Sequence, residues 1–109
     1  MKLLVAVVLA LVLAYPVGAQ ARSDATKDSM AEVRAQRLVR ESLRDGRSAE
    51  FRALQVIQAG SGGRYVCGEV NSKNAFGGYS GHQRFIVIRE MVVIEEMVDD
   101  FEPVWRQFC

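Results

Sequence analysis

The chain contains one histidine, His82, and two thiols, Cys67 and Cys109. The only nucleophilic arrangement these residue types permit is a cysteine thiolate activated by His82. An oxidised cysteine cannot attack anything, so that chemistry depends on the compartment. The N-terminus points to export: Met1-Lys2 is a short basic start, residues 3–14 form an unbroken apolar run, and Ala19-Gln20-Ala21 supplies small residues for cleavage, with Val17-Gly18-Ala19 as a second site. A secretory leader is therefore expected over residues 1–21, and a single small domain over residues 22–109. The apolar run falls short of the roughly 20 residues that span a bilayer, so no membrane span is expected after cleavage. No cysteine lies near either cleavage site to carry a lipid. In an exported chain an even cysteine count points to a Cys67–Cys109 disulfide. Closing that loop stabilises the fold by about 4 kcal/mol in the chain-entropy model. Both sulfurs are then structural, and the expectation is a protein that is not an enzyme.

Metal chemistry finds no better footing. One histidine and two bonded cysteines leave too few soft ligands, and the carboxylates near the C-terminus lack the alternating spacing of a calcium loop. They read as a solvated helix face. No cofactor is expected, and the glycines have neither the spacing nor the Gly-Lys-Ser/Thr ending of a phosphate loop. Lys2 leaves with the leader, so 13 basic residues then balance 13 acidic ones. A chain without positive excess is disfavoured as a nucleic-acid binder.

Binding chemistry is richest in residues 71–81, Asn-Ser-Lys-Asn-Ala-Phe-Gly-Gly-Tyr-Ser-Gly, which mix glycines, amides and two aromatics. An anion, a sugar or a peptide could be held by Asn71, Lys73, Asn74 and Tyr79. The architectural alternative is that Asn71 and Asn74 form Asx turns, the glycines supply positive φ, and Phe76 and Tyr79 plug the edge of the core.

The elements around that loop follow from periodicity. Residues 22–29 are polar, and Asp24 or Ser29 is placed to cap a helix beginning near Met30. Ala31, Ala35, Leu38, Val39 and Leu43 fall on one side of it, and Arg34, Arg37, Arg40 and Arg44 on the other. Such an arginine stripe is either the wet face of the helix or a surface for anionic lipid or lipopolysaccharide headgroups. Gly46 suits a left-handed cap, ending the helix near Asp45. Residues 51–58 read as a strand of imperfect alternation, followed by a Gly-Ser-Gly-Gly turn. In the next strand, from Arg64, the residues Tyr65, Cys67 and Glu69 face one way and Val66, Gly68 and Val70 the other. A third strand covers residues 84–90, and residues 91–95 either extend it past a bulge or form a fourth. Val98, Phe101, Val104, Trp105 and Phe108 recur at helical steps, and Pro103 suits a first turn, so a short helix from Asp100 or Glu102 to Cys109 is expected. These elements make an α+β domain: an N-terminal amphipathic helix packed on a small, mainly antiparallel three- to four-stranded sheet, with a short C-terminal helix.

The segments LRDGRSAEFR and YVCGEVNSKNAFGGYSGHQRFI, with a Trp and a Cys near the C-terminus, resemble a family of small uncharacterised exported proteins of Gram-negative bacteria whose members read approximately LKDPxSAxFR and VCGxVNAKNxFGGYxGxxxF. The likeness covers about half of the chain beyond the leader. It matches Ser48, Ala49, Phe51, Cys67, Gly68, Val70, Asn71, Lys73, Asn74, Gly77, Gly78, Tyr79, Gly81 and Phe85, while Gly46 replaces the usual Pro. It implies export and a shared fold, with no assigned activity. Residues 59–65 also look like the Ser-Gly-rich loop ending in Arg-Tyr by which periplasmic inhibitors of C-type lysozyme reach an active site, which would make Arg64 a binding candidate, although those are all-β barrels. The sequence therefore points to a non-catalytic periplasmic or secreted domain that interacts with a protein or envelope component. The alternative is a small-ligand or lysozyme-inhibitor-like module using the glycine loops. The oligomeric state is not legible.

Overall fold

A computed structural model describes residues 18–109, with side chains from Asp24 onward. Most of the expected leader, residues 1–17, lies outside the described residues. Helix α1 (Gly18–Ser42) is followed by a 3-10 turn (Gly46–Ser48), strands β1 (Glu50–Gln58), β2 (Arg64–Asn71), β3 (Gln83–Ile88) and β4 (Met91–Ile94), a second 3-10 turn (Glu95–Met97), and helix α2 (Phe101–Phe108). The strands form one antiparallel meander in the order β1-β2-β3-β4. The fold is α+β, as expected.

Period-2 alternation gives the sheet two apolar faces. Val66, Val70, Phe85, Val87 and Ile94 pack with Ala35 and Val39 of α1 on one of them. Cys67 and Ile86 pack with Phe101 on the other, where Tyr65, Val104, Trp105 and Phe108 add to the cluster. The two helices thus cover opposite faces of a single sheet, and Cys67 is disulfide-bonded to Cys109 just beyond α2.

Several local expectations are corrected. The first helix starts well before Met30, and Asp24 and Ser29 lie inside it rather than capping it. Residues 22–29 contain no Gly or Pro to stop a helix, and Asp24 and Asp28, one turn apart, both accept from Arg64 (3.3 and 2.6 Å). At its C-terminus the helix ends at Ser42, and Gly46 is not a left-handed cap, since its φ is not among the positive ones. A Cβ there would collide with the Arg40 carbonyl oxygen, so glycine is needed for close approach. Arg40 itself leaves the expected solvated stripe: its guanidinium donates to the carbonyls of Gly46 and Ala49 and sits 5.0 Å from the Phe51 ring centroid.

In β1 the alternation changes phase because residues between Arg52 and Gln55 bulge against β2, with Ala53 at φ 54°. Phe51 and Leu54 therefore share the α1 face. Residues 91–94 form a separate fourth strand, joined to β3 by a tight turn in which Ile88 opposes Met91 and Arg89 takes φ 56°.

The acidic C-terminal segment is only partly a solvated face. Glu95 and Glu102 both bind Arg84 (2.8 and 2.6 Å), and the guanidinium sits 5.2 Å from the ring centroids of Phe101 and Trp105. The hydrogen bonds from Arg84 hold both carboxyls below the usual carboxylate range.

Candidate functional site

Between the end of β2 and the start of β3, the chain folds into a small secondary hairpin. Lys73 and Tyr79 pair as an antiparallel bridge. The Asn74 N–H donates to the Gly78 carbonyl (2.8 Å) and the Gly77 N–H to the Asn74 carbonyl (3.1 Å). Asparagine side chains complete the turn, as their short acceptors allow. Asn74 Oδ1 accepts from the N–H groups of Phe76 (2.9 Å) and Gly78 (3.3 Å), and Asn71 Oδ1 accepts from the Gly81 N–H (3.0 Å). Gly77 at φ 80° and Gly81 at φ 98° occupy backbone regions that a side chain resists.

A second segment braces this hairpin from outside. Ser48, the last residue of the first 3-10 turn, donates its hydroxyl to the Asp45 carbonyl and accepts the Lys73 N–H, both at 2.8 Å. The Ser48 carbonyl accepts the Tyr79 hydroxyl at 3.2 Å. The two sequence segments that carry the family resemblance therefore meet in space. Lys73 Nζ lies 5.7 Å from the Tyr79 ring centroid, within the range of a cation–π contact. Partial desolvation, followed by the nearby Glu50 carboxylate, pushes the Tyr79 phenol upward.

Phe76 stands at the tip of this frame, 97 % exposed. It does not plug the core edge, and Tyr79 is 46 % exposed. Ala75 and Gly77-Gly78 flank Phe76, leaving both ring faces open. The amide oxygens of Asn71 and Asn74 are spent on loop backbone, so they brace the loop rather than face a ligand. The most exposed apolar group of the hairpin is the Phe76 ring, with the Lys73 ammonium and the Tyr79 edge beside it. Such a convex shape does not enclose a small molecule.

Of the sequence candidates, Asn71, Lys73, Asn74 and Tyr79 are brought together, whereas Arg64 is not. It lies at the other end of β2, roughly 23 Å away at the usual strand rise, with its side chain 14 % exposed and engaged by Asp24 and Asp28. Tyr65 beside it donates to the Phe108 carbonyl (2.7 Å). Ser48 and Phe76 are the members that residue-type reasoning missed. Ser48 carried a signal only through the resemblance, and Phe76 through its place in a segment too polar to bury it.

Cys67 is fully buried and bonded, so a Cys67–His82 nucleophilic pair does not exist in this state. Among the described residues no group of three or more His, Cys, Asp or Glu side chains is placed to hold a metal ion, and no helix is long and apolar enough to cross a membrane. Set against protein-family models, curated proteins and solved structures, the chain matches none.

Proposed function

We propose that this chain is a non-catalytic, exported binding domain whose recognition surface is the 71–81 hairpin with its Ser48 brace, and whose partner is a protein of the envelope or its surroundings. The observation that carries this reading is Phe76, almost fully exposed at the tip of a hydrogen-bonded hairpin. Burying that ring in a pocket contributes about 2–3 kcal/mol, the size of a central interface anchor. A hairpin already held by its own bonds avoids part of the ordering cost of association. The disulfide is compatible with an extracellular or periplasmic setting.

A lysozyme-inhibitor-like reading draws less support, because it relies on Arg64 and Tyr65, whose polar groups are already engaged within the domain. The test is affinity capture from envelope extract, with and without added C-type lysozyme. Phe76→Ser is expected to abolish capture of the partner while leaving the melting curve unchanged. Capture that survives Phe76→Ser, Lys73→Ala and Tyr79→Phe alike would remove the loop from the binding surface.

A further inference from the structure

We infer that the outward face of α1 is a second, independent contact surface, one that lies on a membrane carrying anionic lipid headgroups. At 100° per residue, Lys27, Met30, Val33, Arg34 and Arg37 fall within one arc of about 120°, opposite the buried Ala35 and Val39. The three cations are exposed. Met30 and Val33 lie among them at 67 % and 69 % exposure.

Charge on the rest of the molecule sharpens this. The carboxylates of residues 95–102 belong to the segment running into α2, which packs on the opposite face of the sheet. Within α1 from Asp24 onward, Lys27, Arg34, Arg37 and Arg40 are balanced by Asp24, Asp28, Glu32 and Glu41, but Asp24 and Asp28 turn to Arg64, which leaves the outward arc basic. On the arc itself the opposing groups are Glu41, which is exposed, and Glu90, which reaches Arg34 from the β3–β4 turn at 3.4 Å. Both ends of that pair are largely solvated, so it is weak and exchangeable for a lipid phosphate, which a guanidinium grips with two parallel hydrogen bonds.

The mixture of side chains selects a membrane over a nucleic acid. A phosphate backbone has no use for Met30 and Val33, whereas a helix lying in the headgroup region inserts such side chains at the acyl boundary while its cations hold the phosphates. The cations supply most of the attraction, about fivefold in affinity each, so the contact is weak, reversible and sensitive to salt.

Flotation of the protein, purified as secreted by an expressing cell, with vesicles of phosphatidylcholine alone or mixed with phosphatidylglycerol tests this. Binding is expected only to the anionic vesicles, and is lost at high salt. The triple change Lys27→Gln, Arg34→Gln, Arg37→Gln should weaken it on the order of a hundredfold, and Arg34→Lys with Arg37→Lys should retain most of it. Met30→Ser with Val33→Ser should cost roughly tenfold. Each altered side chain is exposed, and unchanged melting curves confirm that the variants fold. Any of the following overturns the inference: no binding to anionic vesicles, equal binding to neutral ones, indifference to the Gln triple, or equally tight binding to a duplex oligonucleotide. Phe76→Ser should leave flotation unchanged, so failure here is separable from failure of the hairpin reading. Loss of flotation in that variant would assign the membrane contact to the hairpin instead and overturn the assignment to α1.

Discussion

The two ends of β2 use the same kinds of residue to opposite effect. At the Arg64 end the polar groups turn inward: the guanidinium is held by two aspartates of α1, and the Tyr65 hydroxyl by the last turn of α2. At the Asn71 end the asparagine side chains hold the loop that carries them, Ser48 braces it through Lys73 and Tyr79, and the Phe76 ring at the tip is left outside. One end ties helices to a sheet and the other builds a projection. A Gly-rich segment with a cation and an aromatic therefore says little until its acceptors are counted. At the Arg64 end the partners come from both helices and leave neither Arg64 nor Tyr65 projecting, whereas at the Asn71 end a short brace leaves the Phe76 tip in solvent.

The largest way to break the tied end is to open the disulfide. Cys67→Ala with Cys109→Ala should cost about 4 kcal/mol, read as a large fall in Tm, because it frees α2 from the strand beneath it. Next in size, Arg64→Ala should cost about 2 kcal/mol in denaturant titration, since it removes two charge-assisted hydrogen bonds and detaches α1 from the start of β2. At the projecting end, Gly81→Val should cost on the order of 1 kcal/mol by forcing a β-branched residue to positive φ, while Lys73→Ala should leave Tm unchanged.

Much of the tied end was legible in the sequence. The opposed faces of Val66 and Cys67, the pairing of Cys67 with Cys109 and the C-terminal helix follow from period and from cysteine count. The rest depends on long-range geometry. Nothing local announces that Asp24 and Asp28 serve an arginine 36 to 40 positions away, or that Ser48 braces Lys73 across 25 residues. The β1 bulge was equally hidden, because Ala53 at positive φ carries no glycine to mark it. The resemblance flagged both halves of the site without showing that they touch.

A smaller effect separates the ionic part of the tied end from its apolar part. Glu95 and Glu102 have carboxyls held below their ordinary range by hydrogen bonds from Arg84. Depressed folded-state values mean that their contribution is fully present above the unfolded carboxylate pKa of about 4.3 and is lost as pH falls through the lower folded values. Acid titration of stability should therefore show a loss beginning near that pH, shallower in Arg84→Met. An identical acid limb in that variant would show that other carboxylates set it.

The central claim is that Phe76 is the tip of a recognition surface, and photo-crosslinking tests it most directly. A photoreactive phenylalanine analogue at position 76, in the protein expressed and exported by a living cell, should yield one dominant protein adduct. The same analogue at Gln58, exposed at the far end of β1, should yield none. Equal labelling from the two positions, or no adduct from position 76, would contradict the account and leave the hairpin as architecture alone.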